Sequence, residues 1–216
     1  MKCRHCHAPL SLPFIDLGTA PPSNAYVAQD QLAAPEKWFP LRVFTCANCW
    51  LVQTEDYAHH AELFASDYAY FSSYSQSWLA HAAAYVGNMA QRLDLGPSAM
   101  GVEGVANEGD RLQYAKARGI PCLGIEPTSG TAQAARDKGI EVREAFFGIE
   151  LAAQLMAEGR TADLMVANNV LAHVPDINDF VAGFARLLKP RGVATFEFPH
   201  LMRLVAEAQF DTGFGQ

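Results

Sequence analysis

The sequence predicts an α/β protein in which a small cysteine-bearing segment precedes a parallel sheet flanked by helices. Two observations predict this division. From residue 99 onward, short apolar runs alternate with helical patterns of about 10–15 residues, which indicates crossover connections and a parallel sheet. Residues 1–60 instead hold four of the five cysteines and six prolines, and they show no long helical pattern. We therefore predict a metal-binding domain over residues 1–60, an aromatic segment with a linking helix over 61–98, and the sheet domain over 99–216.

Each element is predicted from its own pattern. Short apolar stretches at residues 41–45 and 50–53 flank a turn, which indicates two strands. Apolar residues at three- and four-residue steps predict one amphipathic helix from about Ser77 that ends at Gly96-Pro97. In the sheet domain, the predicted strands are residues 100–105, 122–125, 141–143, 164–167 and 193–198. The predicted helices are residues 109–118, 129–138, 149–158, 176–188 and 200–209.

Composition and charge exclude several classes of protein. The 216 residues carry a formal net charge of -7, whereas a nucleic-acid-binding protein needs a basic face. No apolar run approaches the ~18 residues of a transmembrane helix, and the amino terminus has no apolar signal-peptide stretch. We therefore expect a cytoplasmic protein with no nucleic-acid or membrane partner, in which thiols stay reduced and paired cysteines indicate a metal. The oligomeric state is not indicated.

The cysteines form two CxxC pairs with 39 residues between them: Cys3 with Cys6, and Cys46 with Cys49. A two-residue gap lets a tight turn direct both sulfurs at one ion, and two such turns complete a tetrahedral shell that suits Zn²⁺. The site would be structural, because four thiolates leave no open position for a substrate. The alternatives are unrelated buried thiols, a redox-active CxxC pair, or a shell in which His5 or His7 replaces one cysteine. Cys122 is expected to be a core residue.

The turn after the first sheet strand, residues 103–109, has the position at which parallel sheets bind nucleotides. It lacks the middle glycine of G-x-G-x-x-G, which a dinucleotide pyrophosphate requires. S-adenosylmethionine has no phosphate, so the turn favours that cofactor, with Glu103 near its cationic groups and Asn107 and Gly109 in the turn. Glu126, at the end of the next strand, is expected to accept hydrogen bonds from both ribose hydroxyls.

Further candidates follow the third and fourth strands of the sheet. Phe146 and Phe147 are candidates to cover the adenine ring, although aromatic residues at such positions are more often part of the core. Asn168 and Asn169 fall at the carboxyl edge of the sheet, beside the expected methyl donor. His173 follows as a pocket residue or as a structural histidine. These residues follow successive strands in order, and together they favour a binding site for a nucleoside cofactor.

Motifs along nearly the whole chain match one family. Besides the two CxxC pairs, they are residues 68–75 (Tyr-Ala-Tyr-Phe-Ser-Ser-Tyr-Ser), 119–127, 168–176 (Asn-Asn-Val-Leu-Ala-His-Val-Pro-Asp), 179–183, 197–200 (Glu-Phe-Pro-His) and 209–212. The chain thus resembles the class I S-adenosylmethionine-dependent methyltransferases that carry an amino-terminal four-cysteine zinc domain. Within that family it resembles the sugar C-methyltransferases that act on nucleotide-linked 4-keto-deoxyhexoses.

This resemblance implies a zinc-ribbon-like domain and a Rossmann-like sheet of strand order 3-2-1-4-5-7-6, with S-adenosylmethionine and structural Zn²⁺ as cofactors. It implies that a nucleotide sugar is methylated at carbon 3 through an enolate, because the ketone at carbon 4 makes the C–H bond acidic. Asn169 and His173 carry over as catalytic-pocket residues, and Glu126 as the ribose ligand. Tyr70 and Ser73 carry over as contacts to the cofactor or substrate.

The chain departs from the family pattern in two places. The family's Ser-Asn-Asp-Gly turn reads Ala-Asn-Glu-Gly over residues 106–109. The family continues past residue 212 with a Tyr-His-Glu-His-Phe stretch that supplies the expected base, whereas this sequence stops at Gln216. We therefore expect an incomplete Rossmann-like sheet in a shortened chain that binds the donor weakly and does not turn over. The alternative is a non-catalytic module that joins a zinc ribbon to a nucleotide-binding domain.

Overall fold

The computed structural model describes residues 1–22, 26–55, 57, 74–174 and 176–209. These residues fall into two compact units. One unit contains the described residues of 1–69, 175–177 and 199–216, and the other contains those of 70–174 and 178–198. No helix in these described ranges is long and apolar enough to cross a lipid bilayer.

The first unit is built on a three-stranded antiparallel sheet. Its strands are β1 (Leu12–Ala20), β2 (Phe39–Thr45) and β3 (Val52–Thr54), in that spatial order. The sequence predicted β2 and β3 but not β1. The pairing of β1 with β2 is interrupted at two places, and most β1 side chains are exposed, so β1 has no regular apolar alternation to detect. A short helix, α6 (Leu201–Ala206), also belongs to this unit.

The second unit is a five-stranded parallel sheet. Its strands are β4 (Gly101–Gly104), β5 (Cys122–Ile125), β6 (Glu141–Arg143), β7 (Ala162–Asn168) and β8 (Leu188–Glu197). They lie in the order β6-β5-β4-β7-β8, which confirms the 3-2-1-4-5 order expected for the first five strands. The strand order reverses between β4 and β7, and ligands bind outside the carboxyl ends of strands at such a switch point.

Five helices accompany this sheet: α1 (Gln76–Arg92), α2 (Leu112–Ala117), α3 (Ser129–Asp137), α4 (Ile149–Ala157) and α5 (Ile177–Leu187). The Ser75 hydroxyl caps α1 by accepting a hydrogen bond from the Trp78 N–H at 3.2 Å. The largest core cluster joins α4 and α5 to the sheet, whereas two smaller clusters involve α1, α2 and the end of α3. Helices therefore cover both faces, as the alternating pattern predicted.

One strand boundary differs from the prediction. β8 begins at Leu188, several residues before the predicted start, and it contains Pro190 and Gly192. A proline has no N–H to donate, so it is tolerated in a strand only where one side is unpaired. Among the described strands β8 pairs with β7 alone, which is why these residues do not end the strand.

Candidate functional site

The two CxxC turns of the first unit share one backbone conformation. The N–H of the residue after the second cysteine donates to the carbonyl of the first cysteine: His7 to Cys3, and Trp50 to Cys46, both at 2.9 Å. His7 and Trp50 both have positive φ angles, 62° and 65°. The Cys3 and Cys46 N–H groups then donate to the carbonyl five residues on. The matched spacing in sequence thus gives two equivalent turns.

These turns bring all four cysteine sulfurs together. The Sγ atoms of Cys3, Cys6, Cys46 and Cys49 lie within 4.8 Å of one another. Cys3 and Cys49 sulfurs are 3.6 Å apart, and Cys6 and Cys46 sulfurs are 3.5 Å apart. These distances are far too long for a disulfide and are close to the ~3.8 Å between thiolates around tetrahedral Zn²⁺. Among the described residues no histidine joins the cluster.

Gln53 supports this cluster, and sequence reasoning did not identify it. The buried Gln53 amide donates to the Cys3 sulfur at 3.3 Å and accepts from the Arg4 N–H at 3.0 Å. Burial opposes ionisation of Cys3, but N–H groups of Cys6 and His5 and the Gln53 amide outweigh it and lower the Cys3 pKa to about 6. The thiolate form is therefore favoured at Cys3, whereas burial and the three neighbouring sulfurs raise the pKa of Cys49 to about 12. No sequence motif signals a glutamine in this role.

The turn between β4 and α2 has a strained backbone. Val105, Asn107 and Gly109 have φ angles of 61°, 46° and 75°. The positive φ angle of Gly109 favours glycine, and an added Cβ would also displace the tip of the Ile140 side chain, 2.3 Å away. Val105 is β-branched, and such residues rarely adopt a positive φ angle. Strain of this kind persists where surrounding structure imposes it and is frequent at ligand sites.

Glu126 lies at the end of β5, against the β4–α2 turn. One of its carboxylate oxygens accepts from the Asn107 N–H at 3.0 Å, and the other accepts from the Thr128 N–H at 2.9 Å. Burial raises the pKa of Glu126, and these N–H donors oppose the shift. The carboxylate is therefore fixed in orientation at the edge where the sequence placed a ribose ligand.

Glu103 is completely buried and forms an ion pair with the buried Arg111. Burial raises the Glu103 pKa to about 7, and Arg111 opposes this shift. The second carboxylate oxygen, Oε2, and the Arg111 Nη1 atom have no hydrogen-bond partner among the described residues. The Arg111 guanidinium also lies 5.3 Å from the Trp78 ring centroid, and Trp78 Nε1 donates to Asp110 at 3.2 Å. Sequence reasoning anticipated Glu103 but not its pairing with Arg111.

Asn168 and Asn169 lie at the end of β7, where β8 also ends. The Asn168 Nδ2 donates to Glu197 Oε2 at 3.2 Å, and the Asn169 N–H donates to the Glu197 carbonyl at 2.6 Å. Glu197 Oε2 also lies 2.9 Å from His81 Nε2, on α1. The structure thus brings the predicted asparagines together with a histidine and a glutamate that were not predicted as site residues.

The remaining candidates differ in placement. His173 is half-buried after β7, and burial lowers its pKa, so the imidazole is neutral at neutral pH. Phe147 packs edge-on against Phe180 and Phe184 in the core, whereas Phe146 is about half exposed. Phe146 is therefore the ring that a ligand can reach. Tyr70 and Ser73 lie outside the described residues.

The burial of Glu108, in the same turn, differs from the prediction. From its position one step into the loop, the sequence predicts that this side chain faces solvent or the helix dipole. In the structure Glu108 is buried, with 1% of its surface exposed. The left-handed residues around it turn the chain inward, and such a bend leaves no trace in apolar periodicity.

Comparisons with known proteins agree with this two-part organisation. Residues 104–196 match a family model described as "Methyltransferase domain", and residues 3–64 match one described as "Putative zinc binding domain". The chain thus matches a methyltransferase domain and a zinc-binding domain, and the four clustered cysteines lie within the zinc-binding match.

A likeness to one curated protein is more specific. The chain is 30% identical over 213 residues to the C-methyltransferase NovU of Streptomyces niveus. The alignment covers 99% of this chain and 50% of NovU. The chain thus spans about half the length of this relative.

Two solved structures illustrate the wider likeness in fold. A SAM-dependent methyltransferase of Thermotoga maritima, described as a possible histamine N-methyltransferase, is 17% identical with a TM-score of 0.46, covering 72% of this chain and 71% of that one. DesVI of Streptomyces venezuelae is 20% identical with a TM-score of 0.41, and the match covers 53% of this chain and 50% of DesVI. The fold assignment rests on the strand order described above.

Proposed function

We propose that this chain is the donor-binding part of an S-adenosylmethionine-dependent C-methyltransferase that acts on a nucleotide-linked 4-keto-deoxysugar in the cytoplasm. The observation that carries the proposal is the identity of 30% to a C-methyltransferase along 99% of the chain. The cytoplasmic location is proposed because the four-thiolate cluster needs reduced cysteines.

The donor set at the carboxyl edge of the sheet fits this cofactor. Glu126 offers a buried, oriented carboxylate for the two ribose hydroxyls, in a charge-assisted contact. The buried Glu103 oxygen that has no described partner fits an ammonium group. Asn107 and Gly109 shape the turn, Asn168 lies beside the donor, and Phe146 is the ring for the adenine. Tyr70 and Ser73 remain proposed contacts from the resemblance.

The chemistry divides between cofactor and protein. When bound, S-adenosylmethionine supplies an electrophilic methyl group. The protein must hold the sugar with carbon 3 in line with that group, remove the carbon-3 proton and stabilise the negative charge that develops on the ketone oxygen. Asn169 and His173 are proposed for the pocket around the sugar. His173 is neutral at neutral pH, so one of its ring nitrogens donates a hydrogen bond and the other accepts one.

Two measurements test the proposed function. Calorimetric titration with S-adenosylhomocysteine measures donor binding, and no heat above background would instead favour a non-catalytic module. Transfer of a tritiated methyl group is then measured with a nucleotide-linked 4-keto-6-deoxyhexose, using this chain and a version extended with the carboxyl-terminal half of its C-methyltransferase relative. The control substrate is the same sugar with the ketone reduced to an alcohol. Label on carbon 3 of the keto sugar alone is expected; equal labelling of both sugars would contradict it.

A further inference from the structure

Two side-chain amides at the cysteine cluster come from the same part of the chain. Asn48 lies inside the second CxxC turn, and Gln53 lies on β3, shortly after that turn. Both contact cysteines of the first turn: Gln53 contacts Cys3, and Asn48 contacts Cys6. We propose that these two amides hold the first CxxC turn against the second and set the affinity of the cluster for zinc. This inference rests on the predicted zinc site and not on the methyl transfer.

Backbone N–H groups are arranged alike in the two CxxC turns. The first sulfur of each turn accepts from the N–H two residues on: His5 donates to Cys3, and Asn48 donates to Cys46 at 3.4 Å. The second sulfur of each turn also accepts from the N–H two residues on. The backbone therefore does not distinguish the turns, whereas the two side-chain amides do, because both reach across to the first turn.

Two different partners fix the orientation of the Gln53 amide. Its Oε1 accepts from the Arg4 N–H at 3.0 Å, and its Nε2 donates to the Cys3 sulfur at 3.3 Å. A backbone N–H can be matched only by the oxygen of an amide, so the nitrogen must face the sulfur. The Arg4 guanidinium also donates to the Thr54 carbonyl at 3.1 Å. β3 thus holds the first turn through its backbone and through a sulfur.

Burial strengthens the contact between Gln53 and the sulfur. Gln53 is the middle residue of β3, and only 7% of its surface is exposed. A buried position in a strand is usually apolar, and a buried amide costs free energy unless its groups are paired. Four thiolates around one Zn²⁺ leave a net negative charge, and an N–H donor in a dry position stabilises that charge more than an exposed one does. The Gln53 amide is therefore expected to contribute more than the exposed Asn48 amide.

The competing interpretation is that Gln53 only pairs with the Arg4 N–H and fills space in the strand. That role needs no donor at Cys3 and leaves the electronic state of the sulfur unchanged. A hydrogen bond to a thiolate lowers the energy of the sulfur lone pairs, so it raises the energy of charge transfer from sulfur to a bound metal. The position of that absorption band therefore separates the two interpretations.

The experiment compares metal affinity and metal spectra in the full chain. Competition with a chromophoric chelator gives the zinc dissociation constant, and cobalt(II) in place of zinc gives the absorption spectrum. Gln53→Met keeps the side-chain length but removes both hydrogen bonds. We expect this variant to bind zinc ~10–100-fold more weakly than the wild type and to shift the sulfur-to-cobalt band to longer wavelength. The visible bands of tetrahedral cobalt should persist, because four sulfurs remain.

Gln31→Met is the matched control, because it makes the same change at an exposed glutamine of the same unit. It is expected to match the wild type in zinc affinity and in band position. Asn48→Ala is a second variant that truncates an exposed side chain and therefore leaves the fold intact. Its band is expected to shift in the same direction as that of Gln53→Met, by a smaller amount.

The proposal is overturned if Gln53→Met and Gln31→Met bind zinc equally. It is also overturned if Gln53→Met binds zinc more weakly while its band stays at the wild-type wavelength, since Gln53 would then only pair with the backbone. If Gln53→Met forms no tetrahedral site, Asn48→Ala decides, and an unshifted band in that variant overturns the proposal. A wild-type chain that binds neither metal would overturn it together with the predicted zinc site.

Discussion

Glu126 illustrates how single residues define the donor edge. Its two oxygens each accept one backbone N–H, from Asn107 and Thr128. A carboxylate oxygen has further acceptor capacity, so both oxygens are still able to take a ligand hydroxyl. The carboxylate stays oriented by backbone groups alone, and a substitution there tests binding with little disturbance of other side chains.

We predict that Glu126→Gln weakens binding of S-adenosylhomocysteine by ~1.5–3 kcal/mol, about tenfold or more, because a charge-assisted contact to two hydroxyls is lost. The matched control is Glu144→Gln, at the end of β6, whose carboxylate is partly exposed and pairs with Arg136. Calorimetric titration measures the affinity of both variants for S-adenosylhomocysteine. Equal losses in the two variants would show that Glu126 is not the ribose ligand.

At the scale of elements, α4 and α5 approach each other closely at two glycines. A Cβ on Gly183 would lie 2.9 Å from the carbonyl carbon and oxygen of Gly148 and from the Phe147 ring. The Asp179 carboxylate, on the same helix as Gly183, accepts from the Ile149 N–H at 3.2 Å at the start of α4. Glycine at 183 thus lets one helix contact the capped end of the other.

Gly183→Ala is therefore expected to lower the free energy of unfolding by ~1–3 kcal/mol, since overpacking against backbone exceeds the gain in helix propensity. Gly130→Ala, in α3, meets nothing within 4 Å and is expected to raise stability by up to ~1 kcal/mol. Urea unfolding of both variants and the wild type gives the comparison. A stabilised Gly183→Ala chain would contradict the close approach.

The cysteine-bearing turns are elements whose stability depends on a metal. We predict one zinc per chain and loss of structure in residues 1–60 when it is removed, because this unit has few buried apolar residues and metal binding supplies folding free energy. Elemental analysis measures the zinc, and hydrogen exchange after chelation measures the loss of protection. The zinc content of the Cys46→Ala variant should be well below one zinc per chain. Cys122→Ala, which lies outside the cluster, should retain it; equal zinc in both variants would refute the site.

The stability of the whole molecule reflects its buried acids. The Glu103 pKa rises from 4.5 to about 7 on folding, because burial disfavours the charged form more than Arg111 favours it. Between these two values the folded chain binds more protons than the unfolded chain. The free energy of unfolding therefore falls as pH rises through this window.

We predict that Glu103 lowers the free energy of unfolding by on the order of 3 kcal/mol between pH 5 and pH 8. Chemical unfolding at both pH values should show a smaller decrease for Glu103→Gln than for the wild type. Glu144→Gln serves as the control, because the pKa of Glu144 is lowered by Ser129 and Arg136 and this carboxyl does not titrate in the window. The same pH dependence in Glu103→Gln and wild type would show that another group is responsible.

Features that depend on local spacing could be predicted from the amino-acid sequence. The CxxC pairs, the alternation of strands and helices, and an acid at the end of β5 all follow from short-range patterns, and the structure confirms the cysteine cluster and the order of the five strands. Side-chain periods of two and 3.6 residues are local properties, so they can be read without a partner.

Which side chains are in contact could be learned only from the folded chain. β1 was missed because its pairing with β2 is irregular and its side chains are mostly exposed. The pairing of Glu103 with Arg111 depends on a strained turn, and His81 meets Glu197 across 116 positions of sequence. Contacts of this kind are set by how a helix packs against a sheet, and that packing follows from burial of the whole apolar surface.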